Sequence, residues 1–301
     1  MKTGSELDRI VTGATRVTGV FGYPVHHTLS PAMHNAAFRE LGLDYTYVPF
    51  NVCPDDLTTA VQGIRALGIV GVNVTIPHKE RVIGLLDWVS DDARRIGSVN
   101  TIHNCAGVLK GYSTDGPGLV RALEAAGKSP QGSKAVVLGA GGSARATVHA
   151  LVTHGADVTV ANRTHSRAVE LSESLKPASG IAVKAVALDS GAARESVLAA
   201  DLLVNCTPVG MYPNADAQPI PSEWLHAGLF VYDQIYNPME TNLLKAARAA
   251  GAGGSGGIGM LVFQGAVSFE IWTEQSPPVE IMKEAALAHC AQLETGRDAE
   301  S

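Results

Sequence analysis

The sequence predicts an α/β protein of two domains, and three observations predict it. Short β-type runs alternate with helix-length segments along nearly all of its 301 residues. A hairpin-like stretch interrupts that alternation between Ser98 and Thr114. A second alternating series then opens on a strand that runs into a glycine-rich turn. Alternation of this kind builds βαβ units and largely parallel sheets. The length suits two ordinary domains, each with a substantial core.

In the first half the β-type runs begin at Arg16 (RVTGVFG), Tyr45 (YTYVPFNV) and Gly68 (GIVGVNVTI). The segments PAMHNAAFRELG and PDDLTTAVQGIRALG between them are of helical length, and each closes on a glycine suited to a C-cap. SVNTIHNCAGVLKGYST reads as a hairpin with NCAG as its turn, and a helix follows in GPGLVRALEAAG. The later strands begin at Lys134 (KAVVLGA), Asp157 (DVTVANR), Ala200 (ADLLVNCT) and Leu229 (LFVYD). Gly251 to Gly259, GAGGSGGIG, follows a helix rather than a strand, so it lacks the context of a phosphate loop and reads as a hinge or loose connector. The apolar helix after it, MLVFQGAVSFEIW, is expected to pack back on the first domain. The domains are therefore placed at residues 1–114 plus 258–301 and at 115–257, with hinges near Thr114 and in the glycine run.

Composition excludes several classes. The formal net charge is −6 with no block of like charges, so the basic footprint of a nucleic-acid binder is missing. No apolar run reaches membrane-spanning length, and MKTGSELDRIVTG has no apolar signal core. Cys53, Cys105, Cys206 and Cys290 are scattered, as expected of reduced thiols in a cytoplasmic protein. His26, His27, His34 and His78 lack ligand spacing, which predicts solvated or core-edge histidines and no metal.

The chemistry gathers in two places. Lys134 to Arg145, KAVVLGAGGSAR, is a strand, a glycine-rich turn and a helix start. Gly139, Gly141 and Gly142 let the backbone turn tightly and approach a pyrophosphate over a helix N-terminus, with Ala140 and Ser143 in the same turn. The next strand ends about twenty residues on, as in a Rossmann unit, but on Asn162, Arg163 and Thr164, with Arg167 one turn later. Guanidiniums without a carboxylate suit a 2′-phosphate, so NADP is favoured over NAD.

In the first half, Thr28 and Ser30 stand just ahead of Pro31. Ser30 is placed either to cap the helix or, with Thr28, to receive a small carboxylate at a helix start whose first turn has no acid. Lys79 follows an apolar strand whose carboxyl end is where open α/β sheets bind ligands. Asp115 opens the next half, as an N-cap, as a partner for Lys79, or as both if one oxygen stays spare. A desolvated lysine beside a carboxylate can carry a proton to or from an alcohol or ketone, as hydride transfer with a nicotinamide demands.

With GYPVHHTLSPAMHN, GVNVTIPHKE, IGSVNTI, STDGPGL, LGAGGSARA, ANRTHSR, NCTPVGM, YDQIYNPMET and GMLVFQ in order along nearly the whole chain, the protein resembles the shikimate/quinate dehydrogenase family. The resemblance implies an N-terminal substrate-binding catalytic domain, a Rossmann NADP-binding domain, and C-terminal helices that return to the first. It implies NADPH-dependent reduction of 3-dehydroshikimate to shikimate, toward aromatic amino acids, with quinate or an aminoshikimate as alternative substrates. A non-catalytic NADP-binding module is the reading from another class, and the presence of both Lys79 and Asp115 counts against it. The resemblance makes Lys79 and Asp115 the catalytic pair and gives the substrate carboxylate to Thr28 and Ser30. It places Thr75, Asn100, Gln264 and Tyr236 around the ring, Gly259 and Met260 beside the nicotinamide, and Thr207 on the cofactor. It leaves a monomer or a homodimer open. Thr28 stands where the family's first carboxylate-binding serine is usual, Ser113 where an asparagine is usual, and SGGIGM lacks the usual acid and reads poorly as a strand.

Overall fold

The computed structural model describes residues 11–179 and 182–298. The first ten positions of the stretch read for a signal core lie outside the described residues, as do 299–301 at the other end. The first half contains β1 (Arg16–Gly22), α1 (Ser30–Glu40), β2 (Tyr45–Asn51), α2 (Leu57–Ala66), β3 (Gly71–Val74), β4 (Trp88–Val89), α3 (Asp91–Ile96), β5 (Thr101–Cys105) and β6 (Val108–Tyr112). Its strands form a six-stranded sheet in the order β2-β1-β3-β5-β6-β4. β1 runs parallel to β2 and β3, and β5 is antiparallel to β3 and β6. Ala106 and Gly107 make the predicted hairpin turn with φ of 53° and 92°, the left-handed pair that a two-residue turn requires.

The second half contains α4 (Asp115–Ala125), β7 (Lys134–Leu138), α5 (Gly142–Thr153), β8 (Asp157–Asn162), α6 (His165–Ser179), β9 (Lys184–Ala187), α7 (Gly191–Leu198), β10 (Leu202–Asn205), β11 (Phe230–Asp233), α8 (Asn242–Ala249) and β12 (Gly253–Ser255). The strands run parallel in the order β12-β11-β10-β7-β8-β9. That is the doubly wound order, with its switch point between β7 and β10. Two helices follow, α9 (Ile258–Thr273) and α10 (Val279–Asp298).

The glycine run differs from its reading as a loose connector, because β12 lies inside it and pairs with β11 from Phe230↔Gly253 to Tyr232↔Ser255. A Cβ on Gly253 would stand 2.9 Å from the Phe230 ring, and one on Gly254 would stand 3.0 Å from the Leu244 side chain. This edge strand is pressed too close to its neighbours to carry side chains, so it shows no apolar pattern. β4 and β9, short edge strands, also escape the sequence reading.

α9 and α10 return to the first half as expected. Val262, Ala266, Phe269 and Trp272 of α9 and Met282 and Ala286 of α10 join a core with Val20, Met33, Phe38 and Tyr47. Burying a side chain such as Phe269 is worth roughly 1.5–3 kcal/mol. The Trp272 indole also donates to the Ile102 carbonyl of β5 at 3.0 Å. On its other side α9 meets α4 so closely that a Cβ on Gly118 would stand 2.8 Å from the Gln264 backbone nitrogen.

His34 sits inside that core rather than at its edge. Its ring stacks on Tyr47 with centroids 4.4 Å apart, and neither ring nitrogen has a hydrogen-bond partner among the described residues. His78 is buried too, whereas His26 and His27 are exposed. Burial lowers the His34 pKa from 6.5 to about 3. The unfolded chain therefore takes up a proton below pH 6.5 that the folded chain refuses until near pH 3. The neutral ring's contribution to stability is complete above the unfolded value and is lost as pH falls, by up to about 1.4 kcal/mol per pH unit. His34→Phe is expected to flatten the fall in urea midpoint between about pH 6.5 and 4.5. Parallel wild-type and variant curves would mean that another group carries the acid limb.

Candidate active site

The site grows from the carboxyl end of β3. Its Val-Asn-Val run is buried, and the strand ends at Val74, so Thr75 lies one residue beyond it. The Thr75 N–H still donates to the Phe21 carbonyl at 2.9 Å, and its own carbonyl accepts from the His78 N–H at 2.9 Å. His78 Nε2 bonds the Val52 carbonyl at 2.8 Å, a bond the ring makes as an N–H donor. Burial lowers the His78 pKa, which suits a neutral ring that braces the loop. The Val99 N–H donates to the Lys79 carbonyl at 2.9 Å, so the backbone of the lysine is fixed before its side chain is considered.

Lys79 Nζ donates to Asp115 Oδ2 at 2.5 Å, with 15% and 6% of the two side chains exposed. Asp115 is the first residue of α4 and does not cap it; Thr114 holds the N-cap position. Its second oxygen accepts from Asn100 Nδ2 at 2.9 Å. Asn100 also donates to Thr114 Oγ1 at 2.8 Å, and its Oδ1 accepts the Thr114 N–H at 2.7 Å. Both of its amide hydrogens are thus engaged, with Gln264 Oε1 a more distant neighbour at 3.3 Å. Gln264 Nε2 donates to the Leu261 carbonyl at 2.8 Å, within α9.

Behind Asn100 lies a buried polar network that sequence reasoning missed. Thr101 Oγ1 and Ser268 Oγ are 2.8 Å apart, and Asn73 Nδ2 donates to Ser268 Oγ at 2.9 Å. The Tyr47 hydroxyl donates to Asn73 Oδ1 at 2.8 Å. The available signal is a polar residue where the pattern demands an apolar one, as with Asn73 inside VNV and Ser268 in an apolar helix.

That network leads to the other end of the site. α1 begins at Ser30 with Leu29 in the N-cap position and no side-chain cap, so Ser30 is not the cap that Pro31 suggests. Its N–H donates to Thr28 Oγ1 at 3.3 Å, and its side chain lies near the Tyr47 phenol. The first turn of α1 carries no acid. Tyr236 lies close enough to Tyr47 for the two phenols to interact electrostatically, and burial pushes its pKa up to about 12.

The glycine turn lies against the same lysine, a Cβ on Gly142 standing 3.3 Å from Lys79 Cβ. Gly139 has φ of 107°, a left-handed backbone that favours glycine, and Ala140 beside it is buried. Gly141 precedes α5, and a Cβ there would meet nothing within 4 Å. Ser143 Oγ donates to Gln234 Oε1 at 2.5 Å, and Gln234 Nε2 donates to Thr147 Oγ1 at 2.8 Å. At the end of β8, Asn162 Nδ2 donates to the Thr164 carbonyl at 2.8 Å. Arg163 and Arg167 are exposed and form no ion pair among the described residues. The Thr207 hydroxyl donates to Asn205 Oδ1 at 2.7 Å, and Asn205 Nδ2 donates to the fully buried Asp233 at 3.0 Å. Burial raises the Asp233 pKa against donors that include Thr241 at 2.6 Å. In α9, Gly259 packs beside Ala122, and the Met260 N–H donates to the Tyr232 hydroxyl at 3.0 Å. Asn205, Asp233, Gln234 and Tyr232 thus support expected cofactor residues, Asn205 through the adjacent Thr207 and the others through long-range contacts to a neighbouring strand or helix.

Residues 20–102 match the family model for a shikimate dehydrogenase substrate binding domain, 122–209 that for shikimate / quinate 5-dehydrogenase, and 257–287 that for a shikimate 5'-dehydrogenase C-terminal domain. The shikimate dehydrogenase (NADP(+)) of Methanopyrus kandleri is 51% identical over 282 residues, which span 93% of this chain and 97% of the relative. The chain belongs to the shikimate dehydrogenase family. Among solved members of the family, that from Thermus thermophilus, in complex with NADP(H) and shikimate, superposes with a TM-score of 0.83 at 38% identity, over 91% of this chain and 99% of that one. The quinate dehydrogenase of Corynebacterium glutamicum, in complex with NAD, is also similar, at TM-score 0.83 and 34% identity over 91% and 99%.

Proposed function

We propose that the protein interconverts 3-dehydroshikimate and shikimate with NADP(H), using Lys79 and Asp115 as its acid–base pair. The observation that carries the reading is the pair itself: an ammonium and a carboxylate 2.5 Å apart, both largely withdrawn from water, where β3 and α4 meet. Removing one member of such a pair leaves an uncompensated charge, at a cost of about 3–5 kcal/mol. The relatives' names agree with the reading.

The chain fits the cofactor. The space at Gly141 leaves the amides at the start of α5 open to a pyrophosphate, and the exposed Arg163 and Arg167 suit a 2′-phosphate. Gly139, Ala140, Gly142, Ser143, Asn162, Thr164 and Thr207 would shape that cradle, with Gly259 and Met260 toward the nicotinamide. The Ser143 and Thr207 hydroxyls are turned onto Gln234 and Asn205, so Thr207 serves by packing its methyl against Gly139. A bound nicotinamide supplies or accepts the hydride.

Lys79 Nζ holds the proton that the substrate oxygen gains on reduction and gives up on oxidation. Asp115 orients the ammonium, and Asn100 orients Asp115. Asn100 reaches a ring hydroxyl directly only by giving up one of these bonds. Thr28 and Ser30 receive the carboxylate at the start of α1, while Thr75, Gln264 and Tyr236 border the ring. We place the domain boundaries after Thr114 and after Gly257.

A quinate preference is the second reading, favoured by the similarity to the Corynebacterium enzyme. One added methyl, as at Thr28, shifts selectivity by only about 1–3 kcal/mol. Steady-state rates for shikimate and quinate, each with NADP and NAD, separate the two. The highest kcat/KM is expected for shikimate with NADP; a higher value for quinate with either cofactor would overturn the first reading. Arg163→Ala is expected to weaken NADP by roughly 10–100-fold, the worth of a charge-assisted bond, and NAD far less. Equal weakening of both would remove Arg163 from the 2′-phosphate site.

A further inference from the structure

The glycines of the cofactor turn face different surroundings. Gly139 needs its positive φ, and Gly141 opens onto free space. Gly142, the first residue of α5, has neither a positive φ nor free space. A Cβ there would stand 2.9 Å from Ser98 Oγ, 3.3 Å from Lys79 Cβ and 3.5 Å from Lys79 Cδ. The first distance is shorter than real Cβ contacts allow, so something would have to shift. Ser98 is almost wholly buried and its N–H donates to the Ala93 carbonyl at 3.2 Å, so its backbone is held in place. The Lys79 backbone is bound to the neighbouring Val99.

We propose that Gly142 and Ser98 are positioning residues for Lys79: the cofactor turn rests directly on the stem of the catalytic lysine and sets its reach to Asp115. The inference builds on the role given to Lys79 above. It assigns Gly142 a second task besides any approach to phosphate, one that belongs to proton transfer. It also gives Ser98, which has no role in the reading above, the task of a fixed stop against which α5 seats.

Gly142→Ala provides the test. Alanine suits an α-helix better than glycine does and adopts this backbone without strain, so the fold does not stand in the way. A displacement of about 1 Å at a reacting group costs on the order of 100-fold. The kcat for shikimate oxidation at saturating NADP is expected to fall by about that much, over and above any weakening of the NADP Kd that follows from altering the cradle. Ser98→Ala removes the closest obstacle, so the double variant S98A/G142A is expected to regain roughly tenfold over G142A. A crystal structure of G142A should show Lys79 Nζ withdrawn from Asp115. Lys79 left in place, or a lowered NADP affinity at unchanged kcat, would overturn the inference. A wild type inactive on shikimate would instead overturn the proposed reaction, and the position of Lys79 in G142A would still decide this point.

Discussion

A lysine and an aspartate from different halves of the chain are held 2.5 Å apart, and much of the structure is arranged around keeping them there. Neither charge tolerates partial burial alone, since desolvating an ion costs several kcal/mol unless a partner and hydrogen bonds answer it. The loop after β3 must therefore end where α4 begins. β3 is wholly buried, the His78 ring braces the loop after it, and Val99 fixes the lysine backbone. On the other side, Asp115 leaves the capping position to Thr114 and keeps both oxygens for Lys79 and Asn100.

Asn100 carries that constraint into the core. Through Thr101, Ser268 and Asn73 it joins the Tyr47 phenol, so one buried polar network runs from the Lys79–Asp115 pair to the neighbourhood of Ser30 at the start of α1. Such networks stabilise only when every member finds a partner, and they then favour a single arrangement. The return of α9 to the first half supplies Ser268 and Gln264 to this network and Gly259 and Met260 to the side proposed for the cofactor.

The alternation of strands and helices, the hairpin at NCAG and the returning α9 were legible because each rests on local pattern or turn chemistry. β12 was not, because glycines packed against Phe230 and Leu244 leave no apolar signature. Ser30 reads as a cap from the proline beside it, but the helix already includes Ser30, with Leu29 at the N-cap position and no side-chain cap. Lys79 and Asp115 stood out as a titratable pair at a sheet end. The Asn205–Asp233 bond and the Gln234 bonds to Ser143 and Thr147, which brace the proposed cofactor residues, did not, since they join positions 28, 91 and 87 residues apart.

If Lys79 and Asp115 act as one unit, their removals cannot add. The most direct measurement is a double-mutant cycle on kcat for shikimate oxidation with NADP, comparing K79A, D115A and K79A/D115A. Groups that work together show grossly non-additive losses, so the double variant is predicted to lose about as much as the worse single one. Losses that multiply across the two sites would mean that each side chain acts independently, and would contradict the account.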